Sequence, residues 1–218
     1  MNDYYVDLSK FPPHLRRVVK SWFVWQAMYL RARGSYPGDD RRTSAEWESP
    51  ERIFWGKQPP QIVSDSEVAF SGDAEISYFL VKEDVAYYID QKERSSRGRY
   101  WMFRHFEDAE KYLLLLISDF ARPGEYSDSI LFRWYKEGVD PNVSLKEIDP
   151  DNYPGRVSLT FDQEDTDRGW MSDYDATIFS HAIALTYEEL EHALREGIPP
   201  DWFNSGIVDD SAKNWNRE

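Results

Sequence analysis

The 218-residue sequence contains no cysteine, which excludes disulfide bonds, thiolate metal sites and cysteine nucleophiles. It also lacks long apolar runs, because the longest, residues 112–117, is far shorter than the roughly 18 residues that a membrane span requires. The first ten residues contain no basic segment followed by an apolar one, so they predict no export signal. These absences favour a cytoplasmic protein that makes no membrane contact.

Recognisable catalytic motifs are absent as well. The four histidines (His14, His105, His181 and His192) form no HExxH or HxH motif, and the glycines form no phosphate-binding loop. Ser180 and His181 are sequence neighbours, whereas the members of a catalytic triad must converge in space. The sequence therefore predicts no enzyme, no metal and no cofactor, and it assigns His181 a structural role.

Negative charge and aromatic side chains are both abundant. The chain has 40 acidic and 26 basic residues, a net charge of −14, and 16% aromatic residues. The charge is uneven, since residues 1–60 carry +3 and residues 61–218 carry −17. The aromatic content excludes disorder of the whole chain. The negative field repels nucleic acid and favours a basic partner, although acidity alone also serves solubility.

Hydrophobic periodicity predicts an α+β fold, with a mainly antiparallel sheet packed against about three helices. The predicted helices are residues 13–33, 107–121 and 186–196, the last beginning with a Thr186–Glu189 capping box. The predicted strands form a four-stranded meander within residues 67–104 and continue at 130–135, 156–161 and 174–179. Residues 138–154 and 162–173 are predicted to be loops.

The sequence predicts one domain, residues 1–208. Its core is expected to be residues 61–208, with the N-terminal helix and the irregular remainder of residues 1–60 packed onto it. The polar tail, residues 209–218, is expected to be disordered.

Several short motifs follow one another between residues 67 and 203. They are Glu75-Ile-Ser-Tyr-Phe79, Tyr87-Tyr-Ile-Asp-Gln-Lys-Glu-Arg94, Phe106-Glu-Asp-Ala-Glu-Lys-Tyr-Leu113, the 179–190 segment that contains Ser180-His181, and Asp201-Trp-Phe203 after two prolines. Their order and spacing resemble bacterial polymorphic-toxin immunity proteins, in the group that includes the immunity factor for the tuberculosis necrotizing toxin. The Trp-rich N-terminal region is longer here, and residues 138–173 do not align.

The resemblance implies a cytoplasmic, non-enzymatic antitoxin that binds a cognate secreted toxin and blocks its active site. For this group the toxins include NAD-degrading enzymes. NAD carries two phosphates, so the toxin cleft is expected to be electropositive and able to accept a carboxylate-rich loop. The alternatives are a non-enzymatic regulatory protein or a carbohydrate-active enzyme, which needs two carboxylates about 5–10 Å apart in an aromatic cleft.

One polar loop combines the side chains expected at such an interface. The toxin-binding candidates are Asp162, Gln163, Glu164, Asp165, Asp167, Arg168 and Trp170. Gly169 is predicted to allow a tight bend that presents Trp170, and the alternative that Trp170 folds back onto the core stays open. The secondary candidates are Asp39, Asp40 and Trp47.

Overall fold

The computed structural model describes residues 4–32, 59–72, 75–204 and 207–209. In these ranges the strands are β1 (Tyr4–Val6), β2 (Gln61–Ser64), β3 (Glu67–Ser71), β4 (Ile76–Glu83), β5 (Ala86–Glu93), β6 (Ser96–Phe103), β7 (Val143–Glu147), β8 (Arg156–Phe161), β9 (Gly169–Ser172) and β10 (Ile207–Asp209). The α-helices are α1 (Arg16–Ala32), α2 (Phe106–Ala121), α3 (Ile130–Glu137), α4 (Asp173–Ile183) and α5 (Tyr187–Leu194).

Eight of the strands form one antiparallel sheet in the order β2-β3-β4-β5-β6-β9-β8-β7. The first five follow chain order, which confirms the predicted meander and adds the edge strand β2. The C-terminal strands join it where β9 pairs with the end of β6, in the register Phe103 to Gly169. Separately, β1 and β10 form a short parallel pair. The predicted α+β class with a mainly antiparallel sheet is confirmed.

Two of the predicted strands are wrong. Residues 130–135 lie in α3, and residues 174–179 lie in α4. Both helices begin at a serine N-cap: the Ser129 hydroxyl accepts the Phe132 amide and the Ser172 hydroxyl accepts the Asp175 amide, at 3.1 Å each. Such caps stabilise helix starts. With these two helices, the described part of the chain contains five α-helices instead of the predicted three.

Two of the predicted loops also contain strands. Strand β7 lies within residues 138–154, and β9 lies within residues 162–173. The turn between β5 and β6 is tight, because β5 continues to Glu93 and β6 starts at Ser96. The predicted capping box is confirmed at α5, where Thr186 and Glu189 bond each other's backbone amides.

The helices cover one face of the sheet and enclose the core. Helix α2 packs against β5 and β6, while α4 packs against β8 and β9, and α1 and α5 pack on α2. One face of α1 is buried in this core, since Val18, Val19 and Trp22 are fully buried. The Trp22 indole nitrogen donates to the Ser71 carbonyl at 2.8 Å, which ties α1 to the meander.

Candidate functional site

The loop that contains most of the predicted site residues, residues 162–168, connects β8 to β9. Register places it at the end of the sheet where β4 turns into β5 and where β6 ends. Asp162 and Gln163 hold left-handed backbone conformations, with φ of 48° and 59°. Residues 162–166 are exposed, and the amide of Asp162 donates to the Asn142 carbonyl at 2.9 Å. This short, hydrogen-bonded connection projects its first residues into solvent.

Arg168 anchors the loop to the body of the protein. Its Nε and Nη2 donate to both oxygens of Asp108 at 2.8 and 3.0 Å, and its Nη1 donates to Glu164 at 3.0 Å. Asp108 lies in the first turn of α2 and is fully buried. Burial alone lowers the pKa of Arg168, but its hydrogen bonds to Asp108 and the two carboxylate charges raise it overall. Arg168 is therefore held inward as a cation.

A buried lysine completes the charge cluster behind the loop. Lys111 lies 3.5 Å from Asp108 and donates to the carbonyls of Ile183 and Leu185 at 2.7 and 3.2 Å. Desolvation is the main influence on Lys111 and lowers the pKa of its ammonium. The cluster joins α2, the end of α4 and the loop. Its hydrogen bonds are all internal, so it positions the loop and is not itself an interface.

A second ion pair fixes the same, C-terminal end of the loop. Arg104 follows β6 and makes two hydrogen bonds to Asp167, at 3.0 and 2.9 Å. Its amide also donates to the Arg168 carbonyl at 2.9 Å. Hydrogen bonding to Asp167 is the main cause that raises the pKa of Arg104. The charge of Asp167 is thus largely committed to an internal partner.

Trp170 lies in strand β9, paired with Met102 and Ser158, and is half-buried. The guanidinium of Arg156 lies 4.1 Å above its ring. The preceding Gly169 also belongs to the strand and is not at a bend: a Cβ on it would lie 2.0 Å from the Met102 carbonyl oxygen. The glycine therefore serves the close approach of β9 to β6.

The predicted residues thus divide into two groups. Glu164, Asp167 and Arg168 form ion pairs within the protein, and Trp170 lies under an arginine. Asp162, Gln163 and Asp165 are exposed and make no side-chain hydrogen bond or ion pair with a described residue. These three form the free tip of the loop. The secondary candidates Asp39, Asp40 and Trp47 lie outside the described residues, as does most of the predicted tail.

Sequence reasoning missed a ladder of charges on the sheet face opposite the helices. Asp90, only 7% exposed, accepts hydrogen bonds from Arg97 and from Arg99 at 2.9–3.0 Å. The two guanidinium groups lie 4.0 Å above the rings of Phe79 and Tyr88 respectively. The alternation of Arg and aromatic residues in 97–104 was the available signal, although it does not identify Asp90 as the shared partner. The ladder covers this face with the protein's own arginines.

Among the described residues, no group of three or more histidines, aspartates and glutamates is placed to hold a metal ion. His181 stacks on Trp134 with ring centroids 5.7 Å apart, and its Nε2 lies 2.7 Å from the Gly138 carbonyl. These contacts are those of a structural histidine. No helix in the described part of the chain is long and apolar enough to cross a bilayer.

Comparisons with known proteins identify the family. The family described as Immunity protein 61 matches residues 55–197, about two-thirds of the chain. A solved structure, Rv3902c from M. tuberculosis, is similar with a TM-score of 0.47 and 16% identity, covering 60% of this chain and 75% of that one. No curated protein matches. The family match confirms the predicted relationship to bacterial immunity proteins: the chain belongs to the Immunity protein 61 family and is an antitoxin whose partner is a cognate toxin.

Proposed function

We propose that this antitoxin acts without catalysis, by binding its cognate toxin in the cytoplasm and blocking the toxin's active site. The family match over residues 55–197 is the observation that carries the proposal. The partner is a toxin domain with an electropositive cleft, and neither nucleic acid nor a membrane takes part. The chain's net charge of −14 supports a basic partner, since opposite fields accelerate encounter.

The contact with the cleft is assigned to the loop tip formed by Asp162, Gln163 and Asp165. Two free carboxylates and an amide at an exposed tip can be offered to cationic groups without first breaking an internal ion pair. Asp167 and Arg168 hold the C-terminal end of the loop, and the bond of the Asp162 amide to the Asn142 carbonyl holds its start, so little ordering entropy is lost when the toxin binds. We infer an NAD-degrading toxin from the resemblance to the immunity group described above, and a cleft that binds the two phosphates of NAD has the required charge.

Neutralising the loop tip is expected to slow toxin binding. In Asp162→Asn/Asp165→Asn the side-chain shapes are kept, and asparagine tolerates the left-handed conformation of Asp162. We expect association with the cognate toxin domain to slow by about 3- to 10-fold at low salt. Stopped-flow mixing at two salt concentrations measures this, and the difference from wild type should shrink at high salt.

The matched control is Glu147→Gln/Asp151→Asn, which changes the net charge equally at the opposite end of the β7–β8 hairpin. Both residues are exposed and make no ion pair with a described residue. This variant should associate at close to the wild-type rate. If the two double variants slowed binding equally, overall charge would account for the effect and the loop tip would not be the contact.

A further inference from the structure

A cavity of about 690 Å³ lies beside the start of α2, and no residue of the 162–168 loop lines it. Its walls are the N-terminal segment 9–16, the β2–β3 hairpin and the adjoining ends of β4 and β5. Leu15, Val68 and Leu80, all buried core residues, line it. Small-molecule sites commonly enclose about 300–1,000 Å³. The cavity therefore has the volume and the apolar base of a ligand site.

Aromatic rings form one side of this cavity. The Phe106 ring meets the His14 ring edge-on at a centroid distance of 4.9 Å and the Tyr87 ring at 5.5 Å. Tyr87 pairs across the β4–β5 ladder with Lys82, which also lines the cavity. An aromatic surface with a cation beside it suits a planar ring that carries a negative group.

The charges around the cavity are opposite in sign to those of the whole chain. Lys10, Arg16 and Lys82 line it, and none of them forms an ion pair with a described residue. Of the two lining carboxylates, Glu67 is paired with Arg97 at 2.9 Å, which leaves Asp65. Three uncompensated cations against one carboxylate are unexpected on a chain with a net charge of −14. They create a local preference for an anion.

His14 also lines the cavity and is affected by these charges. His14 is largely exposed, and partial desolvation first, and then the charge of Lys82, lower the pKa of its imidazole, which favours the neutral ring at pH 7. A neutral imidazole can both donate and accept a hydrogen bond. Lys82 thus acts electrostatically on the cavity wall, and the histidine contributes polarity there without adding charge.

We propose that this cavity binds a small organic anion, a planar aromatic or heteroaromatic ring with a carboxylate, sulfonate or phosphate group. The ring lies against Phe106 and Tyr87, and the anionic group faces Lys82 and Lys10. This site is separate from the loop proposed to contact the toxin, and it gives the antitoxin a second, small-molecule ligand.

The test compares two dyes that share their rings and differ in charge. The probes are 8-anilinonaphthalene-1-sulfonate and the uncharged N-phenyl-1-naphthylamine, each titrated into the full chain. We expect one sulfonate dye per chain, bound about 10-fold more tightly than the uncharged dye. Lys82→Gln should weaken the sulfonate dye about 5-fold and leave the uncharged dye unchanged. Lys146→Gln, an exposed lysine on β7, should change neither affinity.

Three results would overturn the proposal. The first is that the sulfonate dye fails to saturate at one site, and the second is that the two dyes bind with equal affinity. The third is that adding the toxin domain releases the bound dye, which would make the cavity part of the protein interface. Because this dye also binds loosened proteins, near-UV circular dichroism must match wild type. If Lys82→Gln fails that control, Lys10→Gln replaces it, with the same selective loss of sulfonate affinity expected.

Discussion

Asp108→Ala is expected to destabilise the protein by about 3–5 kcal/mol. Asp108 is fully buried and bonds Arg168 through both carboxylate oxygens, with Lys111 3.5 Å away. Removing it takes the buried carboxylate from both cations and leaves Arg168 only its bond to the exposed Glu164. Breaking a buried pair from one side has a cost of this size. Urea denaturation followed by the fluorescence of the nine tryptophans measures the change.

Asp165→Ala is the matched control for this prediction. It makes the same chemical change at an exposed carboxylate that has no ion pair with a described residue, so stability should stay within about 0.5 kcal/mol of wild type. A double-mutant cycle of Asp108→Ala with Arg168→Ala should give a coupling energy of about 1–3 kcal/mol. Additive losses would mean that the pair does not anchor the loop.

Gly169→Ala is expected to cost about 3 kcal/mol or more and to weaken toxin binding. An added Cβ would lie 2.0 Å from the Met102 carbonyl oxygen and 3.1 Å from the Phe103 Cα. Both neighbours are backbone atoms of β6, so neither can rotate away, and β9 must move. Backbone strain and overpacking each contribute about 1–3 kcal/mol. The displaced strand carries the adjoining loop with it.

Gly124→Ala is the control that separates backbone strain from the steric collision of the added Cβ. Gly124 also has a positive φ, 94°, but an added Cβ there meets no atom within 4 Å. Its cost should be only the 1–2 kcal/mol or so of a left-handed alanine, with toxin association unchanged. If the two alanine variants lost equal stability, the close approach of β9 to β6 would not matter.

The parts of the fold that follow local rules were predictable from sequence. Alternation over residues 67–104 identified the meander, and the apolar stripe of α1 and the capping box at Thr186 identified two helices. Helix α3 was missed because its short run, Ile130-Leu-Phe-Arg-Trp-Tyr135, is rich in strand-favouring residues. The sequence signal that identifies this segment as a helix is polar, because the N-cap residue Ser129 directly precedes the run.

The sequence predicted which segment contains the candidate site but not how the side chains of that segment are arranged in space. The four carboxylates of residues 162–167 lie close together in the sequence and are therefore visible in it. The partners that determine which of them are free are distant: Asp108 is 60 residues from Arg168, and Arg104 is 63 residues from Asp167. Pairing at that separation follows from sheet register, which hydrophobic periodicity alone does not specify.

The central claim is that this chain inhibits its toxin by binding to the toxin's active site. The direct measurement titrates the purified antitoxin into the cognate toxin domain and follows NAD consumption. Our account predicts that activity falls linearly to zero at one antitoxin per toxin, and that the antitoxin alone consumes no NAD. A toxin that degrades NAD at its full rate while saturated with the antitoxin would contradict it.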